Sequence, residues 1–446
     1  MARRCMMNPN PRIEVFMRRT VCRLALLAMA VNGMRAQAPG RYLLRDARIV
    51  RVSGPVLERG SVVIRNGLIE AVGANLTPPP GAWVIDCNGL TVYPGLIDAL
   101  STWGLPSQSG AGGRNGASPA AGPEDRPLTV SWVKAADQIA PSERAIQTAR
   151  DGGYTTAVVF PRGNIFSGQG AVINMAGERA GQMVVADSVG QFLTLRTSGG
   201  RGYPASLLGS IAYVRQIYLD AEHYKTAKAI YEKHQEGLPR PAYDRALEGV
   251  LDSSLVLLPA ETAIEIERMT ALASELKLKA VLYGGHEAWR ETELLQQSHT
   301  PVLVSLKYPE RARDADPALD EPVRVLRLRE NAPAAPGALA KAGVPFAFYS
   351  DGVNNPRDLM RAVKKAIDAG LAPADAIRAL TLTPAEIYGI GKRIGSIDPG
   401  KIANLVVTDG DLFNPETKIK YTFVDGNKFE PLPEEPPARP GRGPSR

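Results

Sequence analysis

A chain of 446 residues that is 44% hydrophobic and 22% charged can bury one large core and a smaller satellite, which excludes a disordered or fibrous protein. Its formal charge of +7 invites a nucleic-acid partner, but the excess is local. Residues 1–38 carry seven arginines (Arg3, Arg4, Arg12, Arg18, Arg19, Arg23 and Arg35) and one acid, Glu14, and the remainder is near neutrality, so no nucleic-acid partner is expected.

The first predicted element is a leader. Arg18-Arg19 precedes an apolar run over 24–31 and then Ala36-Gln37-Ala38, the small-x-small pattern that signal peptidase reads. Eight apolar residues are too few to span a bilayer, so the expectation is a signal peptide over 1–38, export to the periplasm or the medium, and no stable membrane span. Intact mass of the product of a secreting host should show loss of the residues up to about Ala38. A product retaining Met1 or Met17 would contradict export. Cys5 and Cys22 leave with the leader, and Cys87 alone cannot form an intrachain disulfide.

From residue 42 to 91, short β-rich runs alternate with turns: 47–50, 61–64, 68–72 and 83–86, with Asn66-Gly67 between two of them as a hairpin signal. Residues 403–408 and 420–424 read the same way. Between these ends, helix and strand alternate. A helix over 141–150 closes at Gly152-Gly153 and is followed by the β-branched run 154–160. Strands follow at 254–258, 280–283, 301–306 and 344–349. Such continuous apolar runs suit a parallel sheet covered on both faces. No clear strand-ending landmark appears between Gln191 and Gly202, where strands three and four are expected, and a long helix fills 207–233. Residues 106–127, rich in glycine, serine and proline, and the proline-rich tail 431–446 read as solvated low-complexity segments.

Several segments resemble the amidohydrolase superfamily, in its imidazolonepropionase-like branch. Tyr93-Pro94-Gly95-Leu96-Ile97-Asp98-Ala99-Leu100-Ser101-Thr102 is similar to the family's first barrel strand, which reads PG-[LF]-ID-x-H-x-H. Gly343 to Gly352 resembles its eighth strand, Ala376 to Ala385 its "AlraaTlnPA" helix, and Gly395 to Val407 its "GSIepGKdADLvv" segment. The resemblance implies an α/β fold. A (β/α)8 TIM-like barrel over 93–385 would carry a small β-sandwich built from 39–92 and 386–430. It also implies hydrolysis of non-peptide C–N bonds in a small-molecule substrate, through water activated by a divalent metal, zinc first.

The same first strand departs from the family. Leu100 and Thr102 stand where two metal-binding histidines belong, and Pro259 stands at the fifth-strand histidine position. None of the three replaces an imidazole. Barrel enzymes work at the C-terminal ends of their strands, where the polar candidates here are Ser101, Thr102, Glu261, His286, Glu287, Lys307, Ser350 and Asp351. Asp351 matches the family's metal-binding general base, and His286 falls near its sixth-strand ligand. A reduced site of Asp351, His286 and either Glu261 or Glu287 is one reading, since one histidine and two carboxylates can hold a divalent ion. A catalytically inactive barrel that binds a small molecule or a partner is the other. His223, His234 and His299 read as surface residues, and Asp98 as a structural support. A serine hydrolase using Ser101 or Ser350 lacks the Gly-x-Ser-x-Gly elbow.

Overall fold

The computed structural model describes residues 40–106, 125–142, 144–197, 203–312, 314, 316 and 320–431. The expected leader, most of the glycine-rich segment and the proline-rich tail after residue 431 lie outside them.

The N-terminal strands are β1 (Arg41–Ile49), β2 (Leu57–Arg65), β3 (Leu68–Gly73), β4 (Trp83–Asp86) and β5 (Thr91–Pro94). Asn66 and Gly67 join β2 to β3 with φ of 50° and 81°. Two consecutive left-handed residues make the two-residue turn whose twist matches its strands, as the Asn-Gly pair predicts. Ten strands follow: β6 (Leu96–Ser101), β7 (Tyr154–Val159), β8 (Phe166–Gln169), β9 (Ala171–Asn174), β10 (Val184–Ala186), β11 (Gln191–Leu193), β12 (Val256–Ala260), β13 (Ala280–Gly284), β14 (Val302–Ser305) and β15 (Phe346–Tyr349). The chain then closes with β16 (Leu405–Thr408), β17 (Ile419–Val424) and β18 (Asn427–Phe429).

The two ends of the chain share one eight-stranded sheet, ordered β18-β17-β16-β5-β1-β2-β3 with β4 on β1. β5 is the joint: it runs parallel to β1 and antiparallel to β16, with Val92 opposite Val407. Tyr42, Leu44, Ile64, Val92, Leu405 and Phe423 make one buried cluster beneath it. Asn404, buried beside β16, fastens this sheet to the central strands. Its amide donates to Thr156 Oγ1 on β7 and Asn174 Oδ1 on β9, at 3.0 and 2.8 Å.

The central strands pair as two sheets, β10-β9-β7-β6 and β15-β14-β13-β12-β11-β8. The ladders β11 through β15 are parallel, as the apolar runs of β12 to β15 predict. The ladders leave two seams. At one, β8 passes into β9 through Gly170, where a Cβ would lie 2.2 Å from the ring of Phe160. At the other, Asp98 Oδ1 on β6 accepts from the Ser350 N–H beyond β15 at 3.0 Å. Side chains alternate with the period of two that a pleated strand imposes. Leu257, Val281, Leu303 and Ala347 join Ile97, Val158, Val172 and Phe192 in one inner cluster that spans both sheets. Their sequence neighbours, Val256, Leu282, Val302 and Phe346 among them, pack outward against the helices.

The sequence reading misplaced several boundaries. The helix expected at 141–150 is Arg144–Asp151, and the strand expected at 254–258 is β12, two residues later. The interval without a strand-ending landmark holds β11, and β8 through β10 precede it. These are three- and four-residue strands containing Ser167, Gly168, Gln169 and Gln191, too short and polar to show an apolar run. Their polar side chains are paired internally; Gln169 Nε2, for instance, donates to Gly249 O at 2.7 Å.

Candidate functional site

β12, β13, β14 and β15 end side by side, and the predicted polar residues lie just beyond them. Gly284 ends β13 at φ 115°, with Gly285 next at 69°. A Cβ on Gly284 would lie 2.2 Å from Glu261 Oε2, so the glycine lets the carboxylate after β12 lie against the end of β13. Beyond it His286 is buried, 2% exposed, and its Nδ1 sits 2.8 Å from Glu261 Oε1. The other ring nitrogen, Nε2, faces the carbonyl of Ser305 at 3.3 Å. Both nitrogens therefore face oxygen acceptors, each already in contact with a protein group.

Asp351 lies two strands further on, beyond β15. It takes a left-handed backbone at φ 48°, a conformation in which aspartate is enriched, and Gly352 follows at 78°. Its Oδ2 accepts from Ser305 Oγ at 3.0 Å, and the same hydroxyl accepts from the Lys307 N–H at 3.1 Å. His286 and Asp351 thus meet at opposite polar groups of Ser305. Glu287 is turned away. Its Oε2 accepts from the Ala263 N–H at 2.9 Å, at the start of the helix Ala263–Glu275, where a carboxylate complements the helix dipole.

The remaining predicted positions separate. Leu100 is buried in the inner cluster, Thr102 is exposed beyond β6, and Pro259 sits in the β12 ladder opposite Tyr283. His223, His234 and His299 are exposed, as read from the sequence. Ser101 Oγ accepts from the Trp103 N–H, and no histidine nitrogen reaches Ser101, Ser305 or Ser350 hydroxyls among the described residues, so no serine–histidine pair is formed.

Sequence reasoning missed what fills the centre. Phe160 just beyond β7, Phe192 on β11, Tyr283 on β13 and Tyr349 on β15 form a belt of aromatic rings, with centroids 5.7, 5.1 and 6.5 Å apart in that order. Tyr388 touches Phe160 at 6.3 Å. The signal was an aromatic residue at or near the end of β7, β11, β13 and β15, hidden because β11 was not recognised. Arg162, two residues beyond Phe160, lays its guanidinium 4.7 Å above the Phe192 ring. Burial raises the Tyr283 phenol well above its ordinary range; Arg162 opposes the rise, while Asp351 and Glu261 add to it.

Comparison with known proteins decides the family. Residues 223–428 match the profile of the Amidohydrolase family. An amidohydrolase from Thermotoga maritima MSB8 superimposes with a TM-score of 0.73 at 26% identity, over 87% of this chain and 100% of that one. The chain belongs to the amidohydrolase superfamily. Amidohydrolase tasK of Hapsidospora irregularis is 23% identical over 402 residues, and an adenine deaminase of Methanothermobacter thermautotrophicus is 28% identical over 190. These alignments take in 82% and 37% of this chain, but only 39% and 34% of the two relatives' lengths.

Members of the amidohydrolase superfamily typically depend on a divalent metal, and the donor set here does not fit one. His286 has both nitrogens engaged, Glu287 caps a helix, and among the described residues no three His, Cys, Asp or Glu side chains converge on a common point. A tight site needs about four donors in a closed or three-plus-water arrangement.

Proposed function

We propose that this protein is an amidohydrolase-fold binding protein, which takes a small molecule at the mouth of its central strands and does not hydrolyse it through metal-activated water. The observation that carries this reading is the pairing of His286: Glu261 at 2.8 Å on one nitrogen and the Ser305 carbonyl on the other consume the one histidine at the mouth. Elemental analysis of the full chain prepared without chelator tests it, with well under one equivalent of zinc or manganese expected.

The barrel is part of the proposal. The inner cluster common to both sheets, the continuity of β8 with β9, and the Asp98–Ser350 bond across the other seam support closure of the central strands into the family's (β/α)8 arrangement. The terminal sheet would then be one layer of the family's sandwich. Export is likewise proposed on the Arg18-Arg19, apolar-run and Ala36-Gln37-Ala38 sequence; among the described residues no helix is long and apolar enough to cross a membrane.

A second reading, hydrolysis of a non-peptide C–N bond, is favoured by one specific observation. Glu261, His286 and Asp351 still stand at the ends of β12, β13 and β15, where the family places its chemistry, and the aligned relatives are called amidohydrolase and adenine deaminase. One tightly held equivalent of metal, lost in both Asp351→Ala and His286→Ala, would favour this reading over the first.

A further inference from the structure

The helix Leu207–Lys233 carries apolar side chains on two opposite sides. Ser210, Tyr213, Val214, Ile217, Ala221 and Tyr224 are buried and mark the side that faces the protein. At about 100° per residue, Leu208, Ala212, Leu219, Thr226 and Ile230 fall within about 20° of one line on the other side. All five are exposed, Leu208, Leu219 and Ile230 by 77%, 55% and 50%. A surface helix ordinarily turns charged and polar residues to water opposite its core face. Single exposed apolar residues need no explanation, but here three large ones recur about three turns apart along a strip about 33 Å long.

The strip reads the same in both directions. Leu219 stands midway between Leu208 and Ile230, and midway between Ala212 and Thr226. Two such helices laid antiparallel about a two-fold axis at Leu219 therefore set Leu208 against the partner's Ile230, Ala212 against the partner's Thr226, and Leu219 against the partner's Leu219. A closed symmetric dimer requires this property, one patch complementary to itself. The small pair lets the two backbones approach between the large ones. Charge selects the direction. Antiparallel packing brings Arg215 beside the partner's Glu222 on both sides of the axis, whereas parallel packing would set arginine against arginine and glutamate against glutamate. Arg215 has capacity for a second carboxylate: Nε and Nη2 bind Glu275 at 2.6 and 2.8 Å, which leaves Nη1. Glu222 is exposed, 3.7 Å from Lys225.

We propose that this strip is the contact between two copies of the chain, packed antiparallel on a two-fold axis beside Leu219. It covers roughly 400 Å² of each copy, the small end of specific interfaces, so the pair is reversible and set by concentration. The contact stands independently of the chemistry at the strand mouth.

Sedimentation velocity of the full chain, from the low micromolar range into the hundreds of micromolar, should show a monomer passing into a dimer. Leu219→Asp places two carboxylates at the axis and should weaken association at least about tenfold, and Glu222→Lys, which faces the partner's Arg215, should weaken it too. Both positions are exposed, so the fold should hold, and circular dichroism verifies it. Cross-linking reads the register. With Cys5→Ser and Cys22→Ser in the background and Cys87 buried, a short bis-maleimide should join Leu219→Cys chains to one another. It should also join Leu208→Cys to Ile230→Cys when the two are mixed, and leave Leu208→Cys alone largely unlinked. A monomer at every concentration, a dimer indifferent to Leu219→Asp, or efficient linking of Leu208→Cys to itself would each overturn the proposal. A monomer that pellets with phosphatidylglycerol vesicles, and ceases to with Leu219→Asp, would overturn it by giving the strip to a membrane surface.

Discussion

Asn404→Ala should destabilise the protein by about 3 kcal/mol, because it empties the point where the terminal sheet is fastened to the central strands. The Asn404 side chain makes three hydrogen bonds, donating to Thr156 and Asn174 and accepting from the Asp425 N–H at 2.8 Å, while its backbone carbonyl accepts from Gly95. Asn404 is 6% exposed, so water cannot easily replace what is lost. Thr156 and Asn174 keep each other at 3.2 Å, but the Asp425 N–H is stranded. Urea denaturation measures the cost. Asn404→Asp preserves the acceptor and turns a second acceptor toward Asn174 Oδ1, so it should be no better than alanine. A cost under about 1 kcal/mol for both would show that the two parts are held by apolar contact alone.

The second large effect is a pH-dependent gain from Asp98→Asn. Asp98 is 1% exposed; its Oδ1 accepts from the Ser350 and Leu100 N–H groups, and its Oδ2 has no hydrogen-bond partner. Burial pushes its carboxyl up from 3.8 to about 6, tempered by the neighbouring serines. A carboxyl raised by folding favours the protonated folded state. Its stabilising contribution is complete below about pH 4 and is lost as pH rises to about 6. A rise of roughly two units corresponds to about 3 kcal/mol. Asparagine keeps the Oδ1 acceptor without the charge, so its stability relative to aspartate should climb by that amount between pH 4 and pH 7 and level off above. The comparison cancels every other titrating group. A difference that does not vary with pH would show that Asp98 is solvated or paired in solution. Because Leu100 and Thr102 leave Asp98 no histidine to orient, the change should register in stability and not in ligand affinity.

Legibility along the chain followed the physics of each element. The β12 to β15 strands announced themselves because strands covered on both faces need unbroken apolar runs, and Val302-Leu303-Val304 or Phe346-Ala347-Phe348 has no other home. The hairpin at Asn66-Gly67 was legible from two residues, since few others accept that backbone. β8 through β11 were not, because Phe166-Ser167-Gly168-Gln169 is stabilised by long-range partners such as Gly249, which no local window contains. The site divided in the same way. Its strand-end positions followed from apolar runs, and Glu261, His286 and Asp351 lie beyond β12, β13 and β15. The pairing of His286 with Glu261 and of Asp351 with Ser305 depends on side-chain direction, which spacing does not encode.

The central claim is that the residues at this mouth do not assemble a metal centre, and metal content per chain tests it most directly. The full protein, purified without chelator and dialysed against metal-free buffer, should retain well under one equivalent of zinc, manganese, iron, cobalt or nickel by elemental mass spectrometry. A stable binuclear complement, or one equivalent that resists dialysis and disappears in both His286→Ala and Asp351→Ala, would contradict the claim and return the protein to the metal-dependent hydrolases.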